Sequence, residues 1–89
     1  MTKVEIYTSS LCPYCSRAVG LLQTKNIAFE QIDVSISIEL QQSMRSRAGG
    51  RTSVPQIFID GEHIGGCDEL LALESAGHLD ALLNQSVSR

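Results

Sequence analysis

Two cysteines, Cys12 and Cys15, enclose Pro13 and Tyr14. Sulfurs at this spacing have two chemical uses: half of a zinc site, or a dithiol that opens and closes a disulfide. A closed zinc site takes four ligands. The other candidates are Cys67, His63 and His78, and no second C-x-x-C exists. No metal is therefore expected, and the dithiol is the favoured reading.

Thiol exchange needs the thiolate. Pro13 suits the first position of a helix, where its missing N–H costs nothing. Cys12 then stands at a helix N-terminus, facing unpaired N–H groups and the positive end of the helix dipole. Such settings take a thiol pKa from about 8.5 into the range of about 3.5–7.5. Arg17, one turn on, adds positive potential. Cys15 shares an apolar stripe with Ala18, Val19 and Leu22, so it should be less exposed and less acidic. That asymmetry makes Cys12 the nucleophile and Cys15 the resolving thiol.

The elements that must hold this pair can be read along the chain. Val4 and Ile6 alternate with Lys3, Glu5 and Tyr7, the pattern of a half-buried strand. Thr8-Ser9-Ser10 turns the chain into the helix, which Lys25-Asn26 ends. Residues 28–34 read as a second strand, and strand, helix and strand make a right-handed βαβ unit. Ser35 and Ser37 are N-cap candidates for a second helix running to about Arg47, with Ile38, Leu40, Met44 and Ala48 as its core stripe and Gly49-Gly50 as its stop. Gln56–Ile59 is a short apolar strand, Asp60-Gly61 a hairpin turn, and His63-Ile64 the return strand. A third helix is expected over 68–76, with Leu70, Leu71 and Leu73 facing the core. Gly77 stops it, Leu79, Leu82 and Leu83 form a last short helix, and the tail from Asn84 should fray. The order βαβ-α-ββ-α makes an α/β domain of thioredoxin-like architecture, a four-stranded mixed sheet flanked by helices.

The bulk numbers agree with one such domain spanning residues 1–89. A chain of this size buries about 60–65% of its unfolded surface, enough for one modest core. A net charge of -3 argues against a nucleic-acid binder. No apolar run approaches the ~18 residues of a membrane span. Met1-Thr2-Lys3 leads straight into a core strand, without the apolar run of a signal peptide. A monomer in a reducing cytoplasm is expected, where a close cysteine pair is catalytic and not a structural staple.

Three blocks together carry a resemblance: Cys12-Pro13-Tyr14-Cys15, then Ser53-Val54-Pro55-Gln56-Ile57-Phe58-Ile59, then Gly65-Gly66-Cys67-Asp68. In order and spacing they resemble dithiol glutaredoxins, most closely the short bacterial members of the glutaredoxin 3 type. Pro-Tyr stands between the cysteines where thioredoxins carry Gly-Pro, and no Trp precedes Cys12. The resemblance implies reduction of protein disulfides and of glutathionylated proteins, with glutathione as co-substrate. It implies a cis Val54–Pro55 bond, although only about 5–6% of X–Pro bonds in folded proteins are cis. It implies that Val54 pairs with the cysteinyl backbone of the tripeptide like an added strand. It implies that the N–H groups of Cys67 and Asp68, after the bare Gly66, hold the γ-glutamyl carboxylate, and that the Asp68 carboxylate holds the amino group. Asp68 also reads as an N-cap. Tyr14 would pack beside the ligand, and Ser53 replaces the family's common Thr.

One position departs from the pattern. The family usually carries a Lys three residues before the nucleophile, where this chain has Ser9. The glycine carboxylate of the tripeptide then needs another partner. Gln42 and Arg47 read as solvated surface residues, and Arg51, beside the Val-Pro block, is the candidate. Cys67 reads as a small semi-buried residue, with a regulatory thiol as the alternative. Tyr7 reads as strand packing, and His63 and His78 as surface or hairpin residues. Two other functions fit a dithiol on this fold. One is a [2Fe-2S] carrier formed as a glutathione-bridged dimer. The other is a thioredoxin-like reductase served by a flavoprotein.

Overall fold

Val4–Thr8 forms strand β1 in a computed structural model that describes residues 3–84. Pro13–Thr24 follows as helix α1, Glu30–Asp33 as β2, Ile38–Arg47 as α2, Gln56–Ile59 as β3, Glu62–Gly65 as β4, Cys67–Ser75 as α3 and Leu79–Asn84 as α4. The sheet order is β2-β1-β3-β4, with β1 parallel to β2 and the other pairs antiparallel. This is the four-stranded mixed sheet expected. The expectation of a frayed tail concerns residues outside those described, apart from Asn84, which closes α4.

Both faces of β1 are covered, so all five of its residues are buried. This corrects the half-buried reading. Val4 and Ile6 join Ala18, Leu22, Ile57, Ile59, Leu70 and Leu79 in the larger core, beneath α1, α3 and α4. Tyr7 joins Phe58, Val34, Met44 and Ala48 in a smaller core beneath α2. Glu5 is buried on that same face because Arg47 reaches it from the end of α2, Nη2 to Oε1 at 2.9 Å. Arg47 also donates to the Tyr7 hydroxyl at 2.8 Å and stacks 4.1 Å from the Phe58 ring centroid. Arg47 is thus a core-side cation and no solvated surface residue.

Other boundaries shift for local reasons. Strand β2 begins at Glu30, later than the expected 28, and it stops at Asp33, whose carboxylate accepts the Ser35 N–H as Val34–Ile36 enter a 3-10 turn. Ser37 caps α2 through the Leu40 N–H, as expected, while Ser35 serves Asp33 instead. Ile38 and Leu71 are exposed and do not join the core. Asp60 and Gly61 both have positive φ, 53° and 82°, the primed turn that suits a two-residue hairpin. Ile57 pairs with Gly65 and Phe58 with His63, so Ile64 is the extra residue of a bulge in β4. That bulge re-aims Gly65-Gly66 just before α3. Among the described residues, no helix is long and apolar enough to cross a membrane.

Candidate active site

Cys12 is the N-cap of α1, and its sulfur accepts the Cys15 N–H at 3.2 Å. Pro13 occupies the first helical turn, as its fixed φ and missing donor favour. The Cys12 thiol also faces the Val54 carbonyl, 3.8 Å away. Leu11, just before it, has φ +56° and is fully exposed. Cys15 is buried. Burial and the neighbouring Cys12 push its thiol up to about 12. Two thiols one helical turn apart therefore differ as the sequence predicts in exposure, and the buried one is held protonated at neutral pH. Cys67 is also buried, and burial, with Asp68 adding, pushes its thiol up as well. All three cysteines are free thiols.

The Val54–Pro55 bond is cis, as the resemblance implied. Beneath it runs a polar chain. Gln56, fully buried in β3, donates its amide to the Ser53 carbonyl at 3.0 Å and the Ser53 hydroxyl at 3.3 Å. The Gln56 amide oxygen is 2.7 Å from His63 Nε2. Burial, helped by Arg51, holds His63 below the usual imidazole range. The neutral ring with Nε2–H donating to Gln56 satisfies both groups. Sequence reasoning missed this support: Gln56 looks like one more residue of an apolar strand, and His63 like a hairpin residue.

A cavity of about 200 Å³ opens beside this loop. Tyr14, Arg51, Ser53, Val54 and Pro55 line it together with Gly66, Cys67, Asp68 and Glu69. Every residue expected at a ligand groove from the three blocks thus meets at one place. Arg47 and Gln42 do not line it. Tyr14 is half exposed, with the Arg17 guanidinium 5.8 Å from its ring centroid. Ser9 lies elsewhere, in a second groove that borders Cys12 together with Leu11, Ser16, Val19 and Gln31.

At the head of α3 the structure corrects one expectation. The N-cap is Gly66 and the helix begins at Cys67, so Asp68 is not a cap. Glu69 reaches back instead, and its Oε1 accepts the Gly66 N–H at 2.6 Å. Glu69 Oε1 also lies 3.6 Å from Arg51 Nη2. The Gly66 N–H, with Arg51 adding, holds the Glu69 carboxyl below the usual range. Glu69 is the lining residue that sequence reasoning missed. An acidic residue three after a cap is the available signal, but here the cap is a glycine with no side chain of its own. Among the described residues, no cluster of three or more His, Cys, Asp or Glu is arranged to hold a metal ion.

The glutaredoxin family model matches residues 4–64. The chain belongs to the glutaredoxin family. It is 51% identical over 83 residues to Glutaredoxin 3 of Escherichia coli (strain K12), covering 93% of this chain and 99% of that one. The solution structure of a glutaredoxin from Brucella melitensis is 50% identical, with a TM-score of 0.84, and the match covers 97% of this chain and 92% of that one. The crystal structure of a buckwheat glutaredoxin–glutathione complex is 26% identical, with a TM-score of 0.85, over 94% of this chain and 78% of that one. As a glutaredoxin, this chain is a thiol-disulfide oxidoreductase of thioredoxin-like fold, and Cys12 and Cys15 are its redox pair.

Proposed function

We propose that this glutaredoxin reduces glutathione mixed disulfides and protein disulfides at the expense of glutathione, acting as a cytoplasmic monomer. The observation that carries the reading is the cavity beside Cys12. It is lined by a backbone edge at Val54, a helix N-terminus at Cys67 and Asp68, and a cation at Arg51. Those three features match the peptide, the γ-glutamyl carboxylate and the glycine carboxylate of a tripeptide. The glutathione held by the buckwheat relative supports the same ligand here.

In the proposed cycle, the Cys12 thiolate attacks the glutathione sulfur of a protein–glutathione mixed disulfide. The new bond joins Cys12 to glutathione, and the protein thiolate leaves and takes a proton from water. A second glutathione thiolate then attacks the glutathione sulfur on Cys12. Oxidised glutathione departs and Cys12 is restored. The helix N-terminus stabilises Cys12 whenever it carries the charge, first as nucleophile and later as leaving group. With a protein disulfide, Cys12 first bonds to one client sulfur. Cys15, once it gives up its proton, attacks Cys12 and releases the client dithiol. Two glutathiones reopen the Cys12–Cys15 disulfide.

Reduction of a small glutathione mixed disulfide, coupled to glutathione reductase and NADPH, tests the reading. Turnover that saturates with glutathione is expected. Reduction by a thioredoxin-reductase system, with none by glutathione, overturns it in favour of a thioredoxin-like electron supply.

A further inference from the structure

Gln56 is a polar side chain at a position that suits an apolar one. It stands in β3 directly before Ile57, Phe58 and Ile59, opposite Tyr7 of β1, and is fully buried. Burying an amide costs free energy unless new hydrogen bonds replace those lost to water. Its side-chain bonds run to Ser53, three residues upstream, and to His63, across the hairpin in β4. Neither Gln56 nor His63 lines the cavity beside Cys12.

These bonds have a fixed direction. The Ser53 carbonyl can only accept, and Gln56 Nε2 donates to it at 3.0 Å. That sense of the amide turns Oε1 toward His63 Nε2, 2.7 Å away, so the ring nitrogen must carry its hydrogen. The ring itself packs against Phe58, with centroids 5.0 Å apart. With a bare Nε2 the amide would be drawn to turn over, setting its oxygen against the Ser53 carbonyl. His63 therefore fixes Gln56, and Gln56 fixes Ser53. The next residue is Val54, whose carbonyl faces the Cys12 sulfur at 3.8 Å.

We propose that Gln56 and His63 are positioning residues for the exchange reaction, holding the Val54 peptide edge where a tripeptide bonded to Cys12 can pair with it. The proposal rests on the tripeptide reading above. Neither side chain touches the reacting sulfurs, and both act through Ser53. Without these bonds the Ser53 carbonyl loses its donor, and the loop is free to settle away from Cys12. The cap of α1 is untouched, so the nucleophile keeps its reactivity while docking weakens.

The test measures the KM for a small glutathione mixed disulfide in the coupled assay and, beside it, the rate at which iodoacetamide alkylates Cys12. That reagent is too small to need the Val54 edge. The full chain is used throughout, each variant below its melting point. Gln56→Met fills the same space without the amide. It should raise KM about three- to tenfold, the span of one net hydrogen bond, and leave the alkylation rate in place. His63→Leu should raise KM in the same sense, since the Gln56 oxygen then lacks its donor. His63→Gln should restore most of the loss, because a glutamine N–H reaches where Nε2–H did. A KM unmoved in Gln56→Met and His63→Leu, no recovery in His63→Gln, or alkylation that slows in step with the rise in KM overturns the proposal alone. Wild-type turnover that does not saturate with the mixed disulfide removes the tripeptide reading and the proposal with it.

Discussion

The backbone N–H of Cys15 donates to the sulfur of Cys12 at 3.2 Å, so the nucleophile is also the cap of its own helix. Caps are usually oxygens of Ser, Thr, Asn or Asp. A sulfur in that place ties the chemistry to the start of α1: whatever charge Cys12 carries is met by the first helical N–H groups.

Cys12→Ser therefore separates cap from chemistry. The serine oxygen keeps the contact to Cys15, and the variant should melt within about 1 kcal/mol of wild type. Exchange with every disulfide substrate should disappear. Turnover retained by folded Cys12→Ser in the coupled assay would move the nucleophile elsewhere.

Cys15, with its thiol pushed up to about 12 by burial, should resist modification at neutral pH. Iodoacetamide at pH 7, followed by mass spectrometry of the peptides, should label Cys12 and leave Cys15 and Cys67 largely free. Cys15→Ser should keep deglutathionylation and lose reduction of protein disulfides. Equal loss of both activities would show that Cys15 does more than resolve.

Arg47 lies away from the groove and should matter to stability only. Its guanidinium bonds Glu5 and the Tyr7 hydroxyl and stacks on Phe58. Arg47→Met keeps much of the packing but leaves Glu5 in a buried position without its partner. The cost should fall between that of an exposed and a buried pair, about 1–2 kcal/mol, or roughly 4–16 °C in Tm for a domain of this size. The KM for glutathione should stay put; a rise would return Arg47 to the ligand.

His63 makes stability depend on pH in a defined window. Burial holds its folded value below the ordinary 6.5, so as pH falls through 6.5 the unfolded chain takes up the proton first. The stability due to the neutral ring is complete above that point and is lost as pH drops toward the folded value. The carboxylates of Glu5 and Glu69 act in the same direction, at lower pH. Both are held below 4.5, Glu5 first by its Arg47 hydrogen bond and Glu69 by the Gly66 N–H, so their contribution is lost only at lower pH. Thermal melts should thus show Tm falling between pH 7.5 and 5.5. His63→Gln should flatten that slope; an unchanged slope would acquit the imidazole.

How much of this was legible depended on how local each signal was. Cys12-Pro13-Tyr14-Cys15 and Gly65-Gly66-Cys67-Asp68 each act within a few residues, and their types alone indicated two helix starts, whereas the cis turn at Val54-Pro55 was implied by the family resemblance and not by the residues themselves. Arg47 was misread because its partners Tyr7 and Glu5 lie 40 and 42 residues away, and only folding brings β1 beneath α2. Gln56 hid in an apolar strand because nothing in Gln56–Ile59 reveals that its side chain turns beneath the Ser53 loop. Strand β2 ended early because one carboxylate, Asp33, captured Ser35. Patterns of hydrophobicity locate elements; side-chain hydrogen bonds to the backbone trim them.

Gly66 gives the groove a stretch of bare peptide, and Gly65 stands just before it. A side chain at Gly65 would collide with Glu69, and one at Gly66 would crowd the Pro55 carbonyl. Substitution cannot tailor that stretch without a clash. Variation among ligands there must come from residues standing around the bare stretch, which concentrates evolutionary freedom in a few bordering positions and leaves the peptide frame the same for every thiol it meets.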